Sequence, residues 1–280
     1  MKVLPFKVPK SKDEALIYQV DRGRMFYEQL HQHAEIQISY IGQGTGSLIV
    51  GDTINEYKEN DILVIGSFVP HVFRSDIGAV EESIMHTLFF DGTPGGENFF
   101  GLPELSITND FFKQAEYGIK VLSNKDSIIA LFNKLAEQNK LEQIATLLMI
   151  ISQIAKSATE PLSSFVYKKS YTDHEGKRMS TVFDYAMERY HEQITLEDIS
   201  EKANLSKNAF CRYFKKRTNK TFFQFLIEIR VNNACKLIIN KPELPISLVS
   251  EQCGFSNIAN FNRKFKQLKG CTPTLYRAQF

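Results

Sequence analysis

The sequence lacks most features that mark membrane-spanning, secreted or disulfide-rich proteins. Its longest purely apolar runs have five residues, as at positions 147–151, and a membrane-spanning helix needs about 20. Residues 1–12 are interrupted by lysines and prolines and contain no apolar core of a secretory signal. None of the four cysteines forms a Cys-x-x-Cys pair, which favours free thiols over disulfides or zinc. We therefore expect a cytoplasmic protein with no membrane partner.

Charge is distributed unevenly along a chain whose net charge is only +2. Residues 179–280 hold 16 Lys and Arg against 9 Asp and Glu, a net of +7, whereas residues 1–178 carry a net of −5. A basic part joined to an acidic part indicates a polyanionic partner for the basic part. Chance segregation is the alternative, and charge alone does not decide between the two. The length of 280 residues predicts about two domains.

The first part of the chain has the pattern of short strands separated by turns. Apolar and polar residues alternate over positions 36–40, and further strands are predicted at 47–50, 61–65 and 84–90. Glycines follow the first of these strands, and Gly51 with Asp52 predicts another turn. Many short strands with glycine-rich turns are typical of a barrel or a sandwich, which we place at residues 1–108.

From residue 109 the apolar residues follow a helical period. Ile128, Leu131 and Leu135, and then residues 141–155, predict two helices that pack as a hairpin within residues 109–160. Their apolar content favours a dimerisation element, and the alternative is that they simply pack on the barrel. Residues 161–178 are polar and aperiodic, so we interpret them as a linker to a helical domain at 179–280.

An internal repeat is the most informative feature of the helical domain. Residues 199–206 match residues 249–256 at an offset of 50, and residues 212–215 match 263–266 at an offset of 51. Each copy contains a short helix, a sharp turn at Asn204 or Gly254, and a second helix. Asn and Gly tolerate the positive φ that such a turn requires. The repeat therefore predicts two helix-turn-helix units.

Local capping signals support both units. Thr195 with Asp198 has the spacing of a capping box before the first helix of unit one, and Ser247 is a weaker cap in unit two. Ser206 and Ser256 are expected to cap the second helices. A long helix at residues 222–239 is expected to bridge the units. The alternative to a DNA-binding repeat is a helical-hairpin repeat that binds protein.

The second helix of each copy has an apolar stripe and a polar, basic face, as is needed for insertion into a major groove. Candidate DNA-binding residues on these faces are Lys207, Asn208, Arg212 and Lys215 in the first copy, and Asn257, Asn260, Arg263 and Lys266 in the second. Arg212 and Arg263 are the best candidates for guanine contacts, with phosphate contacts as the open alternative.

Residues 179–280 resemble the DNA-binding domain of the AraC/XylS family of transcription regulators. The residues that carry the resemblance are Gly254, Phe255, Ser256, Phe261, Arg263, Phe265, Lys266, Gly270, Thr272, Pro273, Tyr276 and Arg277. Asn219 stands where the family usually has glycine, and asparagine can adopt the same φ. The resemblance implies a regulator that binds a promoter site in double-stranded DNA. It also implies that the base-facing positions are Asn208, Cys211 and Arg212 in the first copy and Ile258, Ala259, Asn260 and Arg263 in the second.

The first part of the chain is more loosely similar to the cupin-type sensor barrel that many members of this family carry. His31, His33 and His71 match a cupin ligand set, but Gln37 stands where metal-binding cupins have Glu. His31 and His33 are two positions apart, so we expect them to share one face of a strand. Three neutral imidazoles and an amide leave a divalent ion uncompensated. We therefore expect His31, His33, Gln37 and His71 to bind an organic effector, with no metal and no cofactor. The alternatives are that the histidines are structural, or that they bind a metal with Glu35 brought in by a local bulge.

The sequence thus predicts an α+β protein of two domains. A cupin-like β-barrel with a helical hairpin precedes an all-α domain in which a long helix joins two helix-turn-helix units. The expected function is effector-controlled regulation of transcription by a homodimer that is not an enzyme. The alternative is a metal-dependent cupin enzyme, an oxygenase or isomerase, fused to a DNA-binding tail.

Overall fold

A computed structural model describes residues 14–76, 78, 80–92, 99–166 and 173–280. The chain divides into two compact units, residues 1–176 and 177–280. The first is rich in strands and the second is helical, so the mixed composition predicted from the sequence is confirmed. Across the described residues, no helix is long and apolar enough to cross a membrane.

Within its described residues, the first unit contains two antiparallel sheets. Its strands are β1 (Leu16–Gly23), β2 (Ile36–Gln43), β3 (Gly46–Val50), β4 (Thr53–Tyr57), β5 (Ile62–Ile65), β6 (His71–Ser75), β7 (Ser83–Phe90), β8 (Ile119–Val121) and β9 (Thr159–Pro161). The larger sheet has the order β1-β7-β2-β5-β8-β9 and the smaller one β4-β3-β6. Gly51, with φ of +57°, turns β3 into β4 as predicted.

Three helices follow or interrupt these strands: α1 (Thr108–Ala115), α2 (Lys125–Phe132) and α3 (Lys140–Ala155). The predicted bend between α2 and α3 is confirmed, but the segment is not purely helical. Strands β8 and β9, each three residues long, join the larger sheet from within it. The helices bury Phe111, Ile128 and Ile150 in one core with Ile38 and Val64 of the sheet.

The segment interpreted as a linker carries more structure than its composition suggested. Leu162 and Ser163 are buried. The buried carboxylate of Asp52 accepts hydrogen bonds from the Ser163 hydroxyl (3.1 Å) and from the Ser164 backbone N–H (3.0 Å). A helix already begins at Asp173, and residues 167–172 lie outside the described residues. Ser163 and Ser164 thus fix this part of the chain to the first unit, although the sequence predicted a linker here.

The second unit contains seven helices among residues 173–280. They are α4 (Asp173–Arg189), α5 (Leu196–Lys202), α6 (Lys207–Thr218), α7 (Phe222–Asn240), α8 (Ile246–Gln252), α9 (Ile258–Lys269) and α10 (Pro273–Arg277). Helix α7 confirms the predicted bridge. One core packs Phe183 of α4 against Phe214 and Phe225, at ring distances of 6.2 and 4.7 Å. A second core groups Val249 and Phe265 around the other end of α7.

Candidate nucleic-acid interface and histidine cluster

Both predicted turns have the backbone conformation that the repeat demanded. Asn204 has φ of +51° and Gly254 has φ of +80°. A Cβ added at Gly254 would lie 2.5 Å from the Tyr190 carbonyl oxygen and 2.9 Å from that of His191. Glycine is therefore required in the second turn for space as well as for φ. Asn204 is exposed, which explains why a side chain is accepted there.

The helix caps of the first helix-turn-helix copy were predicted correctly, and those of the second copy were predicted incorrectly. Thr195 and Asp198 form the expected capping box, and hydrogen bonds from Thr195 hold the pKa of Asp198 below its usual value. Ser206 caps α6. Ser247 lies inside α8, whose N-cap is Pro245. The N-cap of α9 is Asn257 and not Ser256. Asn257 Oδ1 accepts hydrogen bonds from the backbone N–H groups of Ala259 and Asn260, the second and third residues of the helix.

The predicted DNA-binding residues form two exposed surfaces. Helix α6 buries Phe210 and Phe214, and helix α9 buries Phe261 and Phe265. The candidates turn away from these cores, and every one of them is exposed: Lys207, Asn208, Cys211, Arg212, Lys215, Asn257, Ile258, Ala259, Asn260, Arg263 and Lys266. Exposed polar and basic side chains over a fixed aromatic core suit a helix that enters a groove of DNA.

Some of these side chains already have intramolecular partners. Lys207 forms an ion pair with Glu197 of α5 at 2.8 Å, and Arg263 Nη2 donates to Asn260 Oδ1 at 2.8 Å. Asn257 uses its oxygen as the helix cap, so its amide nitrogen is the atom that it can offer to DNA. The Arg263–Asn260 pair presents a preformed polar edge from two adjacent turns of α9.

Sequence reasoning missed Arg230, a structural link within the second unit. Its Nε donates to the Tyr190 carbonyl oxygen and its Nη2 to that of Glu192, both at 2.7 Å. It also lies over the Phe255 ring, 5.8 Å from the centroid. Arg230 thereby joins bridging helix α7 to the segment after α4 and to the second turn. No pattern in the sequence distinguished Arg230 from the other charged residues of α7, such as Glu228 and Lys236.

Several residues that carry the family resemblance serve the fold. Gly270, with φ of +76°, ends α9, and Asn219, with φ of +54°, ends α6 in the same way. Thr272 caps α10. Arg277 donates to the Leu244 carbonyl oxygen at 2.6 Å. The second unit is thus built to hold α6 and α9 rigidly while their outer faces stay available.

The first unit brings together the four residues predicted to bind an effector. The expectation that His31 and His33 share a strand face is wrong, because strand β2 begins only at Ile36 and His31 forms an isolated bridge to His71. The rings of His31 and His71 nevertheless lie 4.2 Å apart and those of His33 and His71 5.1 Å apart. His33 Nε2 and His71 Nε2 each lie 3.1 Å from Gln37 Oε1.

Backbone carbonyl groups orient all three imidazoles. The Nδ1 atoms of His31, His33 and His71 donate to the carbonyl oxygens of Gln29, Glu35 and Val69 at 2.8, 2.8 and 2.9 Å. Burial lowers the pKa of His31 to about 3, and it also lowers the pKa of His33 and, well below its usual value, that of His71. The rings are therefore neutral near pH 7, with the proton on Nδ1.

A cavity of about 240 Å³ opens beside this cluster. His31 and Gln37 line it, whereas His33 and His71 lie behind them and reach it through Gln37. Its apolar wall consists of Met25, Phe26, Phe73, Met85 and Phe89, and its other polar residues are Gln19, Asp21, Arg22 and Tyr27. Gln19 Oε1 is buried without a hydrogen-bond partner among the described residues. Burial raises the pKa of Asp21.

The second unit defines a DNA-binding protein of the helix-turn-helix class. Residues 199–279 match a family model described as a helix-turn-helix domain. The chain is 25% identical over 265 residues to an uncharacterised HTH-type transcriptional regulator, YdeC, of Bacillus subtilis, covering 90% of this chain and 86% of that protein. It is 24% identical to the Msm operon regulatory protein of Streptococcus mutans, covering 92% and 89%.

A solved structure with similar sequence is that of the DNA-binding domain of AdpA, a global transcriptional factor, in complex with a target DNA. It is 31% identical, covers 35% of this chain and 87% of that chain, and has a TM-score of 0.34. These relatives are transcriptional regulators, and the matches agree with the similarity of the chain to the AraC/XylS family. The resemblance seen in the sequence is confirmed.

Proposed function

We propose that this protein binds a promoter site through α6 and α9 and changes transcription in response to a small molecule held in its first unit. The observation that carries the proposal is the pair of exposed basic helix faces, each on a helix that follows a turn with positive φ. Side chains on the first turns would contact bases, and Lys215 and Lys266 further along would contact phosphates.

Salt dependence tests the DNA-binding part. The full chain and residues 177–280 are titrated against a duplex selected from random sequences, in gel-shift series over increasing salt. Each phosphate that is neutralised contributes about −0.9 to the slope of log affinity against log salt. Binding by both proteins with a steep negative slope is expected. The absence of binding at low salt contradicts the proposal.

The cavity is the proposed effector site, in a sensor unit that we interpret as a cupin-like barrel. It combines aromatic and thioether surface with a few convergent polar groups, which is typical of small-molecule sites. The unsatisfied Gln19 oxygen offers an acceptor for a ligand hydroxyl or amine. His31 and Gln37 would form the polar floor, with His33 and His71 holding Gln37 in place.

We further propose that the protein is a homodimer and not an enzyme, and that it works in the cytoplasm, where its DNA is. Helix α3 buries one face, while Leu141, Ile144 and Met149 on another face are exposed. Gln37 in place of Glu disfavours the metal-dependent cupin enzyme that remains the alternative. Isothermal calorimetry of the full chain with candidate effectors, and its mass in solution, test these assignments.

A further inference from the structure

The three histidines of the first unit have the protonation pattern of metal ligands. A carbonyl oxygen only accepts hydrogen bonds, so each Nδ1 that contacts one must carry the proton. In a neutral ring the remaining nitrogen, Nε2, then presents a lone pair. Metal-binding histidines are oriented in this way, with the other ring N–H donated to a carbonyl or carboxylate group. His31, His33 and His71 all follow this pattern.

The potential ligand atoms of these rings converge. One nitrogen from each of His31, His33 and His71 lies within 4.8 Å of the others. Gln37 Oε1 lies 3.1 Å from Nε2 of both His33 and His71. Ligands of a tetrahedral zinc ion at about 2.0–2.1 Å are about 3.4 Å apart, so binding would draw the three nitrogens closer together.

We propose that His31, His33 and His71 bind a divalent transition-metal ion through Nε2, with Gln37 Oε1 as a further ligand. Imidazole nitrogen suits zinc, nickel, iron and copper. The Gln37 amide is held for this role from its other end, because its Nε2 donates to Ser39 Oγ at 2.8 Å and Ser39 is hydrogen-bonded to Thr87 at 3.1 Å.

A metal-free arrangement competes with this site. If the Gln37 amide is rotated by 180°, its NH₂ group donates to Nε2 of His33 and His71, and its oxygen accepts from Ser39. As placed, Gln37 Oε1 faces two nitrogen lone pairs, and an ion between them removes that repulsion. In the rotated arrangement the hydrogen bonds of Gln37 involve His33 and His71 but not His31, whose ring is tilted against that of His71 with the centroids 4.2 Å apart.

Four neutral ligands leave both charges of the ion uncompensated, which is why the sequence alone favoured a site without metal. The structure adds Asp21, a carboxylate in the wall of the cavity that His31 and Gln37 also line. If the proposed function is right and the effector occupies this cavity, the remaining charge favours an effector with an anionic oxygen group, such as a carboxylate. The ion would then recognise the effector.

Metal binding is tested on untagged full-length protein that has been stripped with a chelator and titrated with Co²⁺ and then Zn²⁺. The visible absorption of bound Co²⁺ and elemental analysis report geometry and stoichiometry. We expect about one ion per chain. Since His31 is partly exposed, His31→Ala should keep the fold, and its affinity for Co²⁺ should fall at least tenfold. His86→Ala and His191→Ala, outside the cluster, should bind as the wild type does.

Changes at Gln37 separate a metal site from a hydrogen-bond network. Gln37→Glu adds the missing charge and should bind the ion more tightly than the wild type, whereas Gln37→Leu should bind it more weakly. The unfolding temperature of each metal-free variant shows whether the unit still folds. Absence of stoichiometric binding by the wild type, or binding that is unchanged in both His31→Ala and Gln37→Leu, overturns the proposal.

Gel shifts on the same samples keep this result distinct from the proposed function. If His31→Ala loses the ion but still binds DNA, the metal site is confined to the sensor unit. The proposed DNA-binding function of the second unit is then unaffected. Calorimetry with small carboxylates, with and without Zn²⁺, then tests the effector. Equal binding in both conditions shows that the effector does not use the ion.

Discussion

At the scale of single residues, Arg212 is the clearest candidate for reading a base. It is exposed on α6, one turn before Lys215 and Lys216, on the face opposite the buried Phe210 and Phe214. Arginine recognises guanine through two hydrogen bonds to the major-groove edge, and one such contact discriminates by about 1–3 kcal/mol. Its counterpart Arg263 is hydrogen-bonded to Asn260, so the two helix-turn-helix copies present arginine differently.

Arg212→Ala should therefore weaken binding to the selected site by about 1–3 kcal/mol and flatten the preference at one base pair. Affinities for the site and for its single-base variants are measured by gel shift at one salt concentration. Arg189→Ala, which removes the same charge from an exposed position on α4, is the control and should leave the preference intact. An equal loss on every sequence would show that Arg212 contacts phosphate.

At the scale of elements, the two turns perform the same task with different tolerance. Gly254 has positive φ and sits against the carbonyl oxygens of residues 190 and 191, beside the Arg230 side chain that binds the first of them. Asn204 has positive φ and faces solvent. A left-handed backbone costs a non-glycine residue about 1–2 kcal/mol, and only the second turn adds a steric clash.

Gly254→Ala should lower the free energy of unfolding of the second unit by more than the 1–2 kcal/mol that backbone strain alone costs. Asn204→Ala is the matched variant and should lower the free energy of unfolding by about 1 kcal/mol, because alanine fits sterically but is strained at positive φ. Urea unfolding followed by helical circular dichroism measures both. Equal losses would mean that the contacts with residues 190 and 191 relax without cost.

Local chemistry explains which elements the sequence could predict. The turns at 204 and 254, the Thr195 capping box and the bridging helix each depend on residues a few positions apart. Strands β8 and β9 could not be predicted this way, because each has only three residues. Strand β8 pairs with β5 and with β9, and both partners are distant from it in the sequence. The α9 cap was misplaced by one residue because Ser256 and Asn257 are both good caps.

The candidate sites divide in the same manner. The helical period of α6 and α9 predicted which residues are exposed. In the histidine cluster, the residues were found by resemblance, but their geometry comes from a loop before β2 and from contacts with the carbonyl groups of residues 29, 35 and 69. No periodic pattern encodes such contacts. The same holds for Asp52, which holds Ser163 and Ser164 from more than a hundred residues away.

At the scale of the whole molecule, the proposed homodimer would form through α3. Leu147, Ile150, Ile151 and Ile154 of this helix are buried against the sheet. Leu141, Ile144 and Met149 on its other side are 76%, 36% and 54% exposed. Their spacings of three and five residues place them on one broad face of the helix, which two copies could bury against each other. Two joined DNA-binding units would then bind a repeated site with a higher apparent affinity.

If the full-length protein is the proposed dimer, Leu141→Glu combined with Met149→Glu should convert it to a monomer, because the changes set carboxylates against each other in an apolar contact. Analytical ultracentrifugation measures the mass. Affinity for a repeated site should fall at least about tenfold, while affinity for a single copy of the site should stay unchanged. Ala130→Glu, exposed on α2, introduces the same group outside this face and should remain dimeric. If the double variant keeps the mass of the wild type, α3 does not form the dimer, and its exposed apolar face needs another explanation.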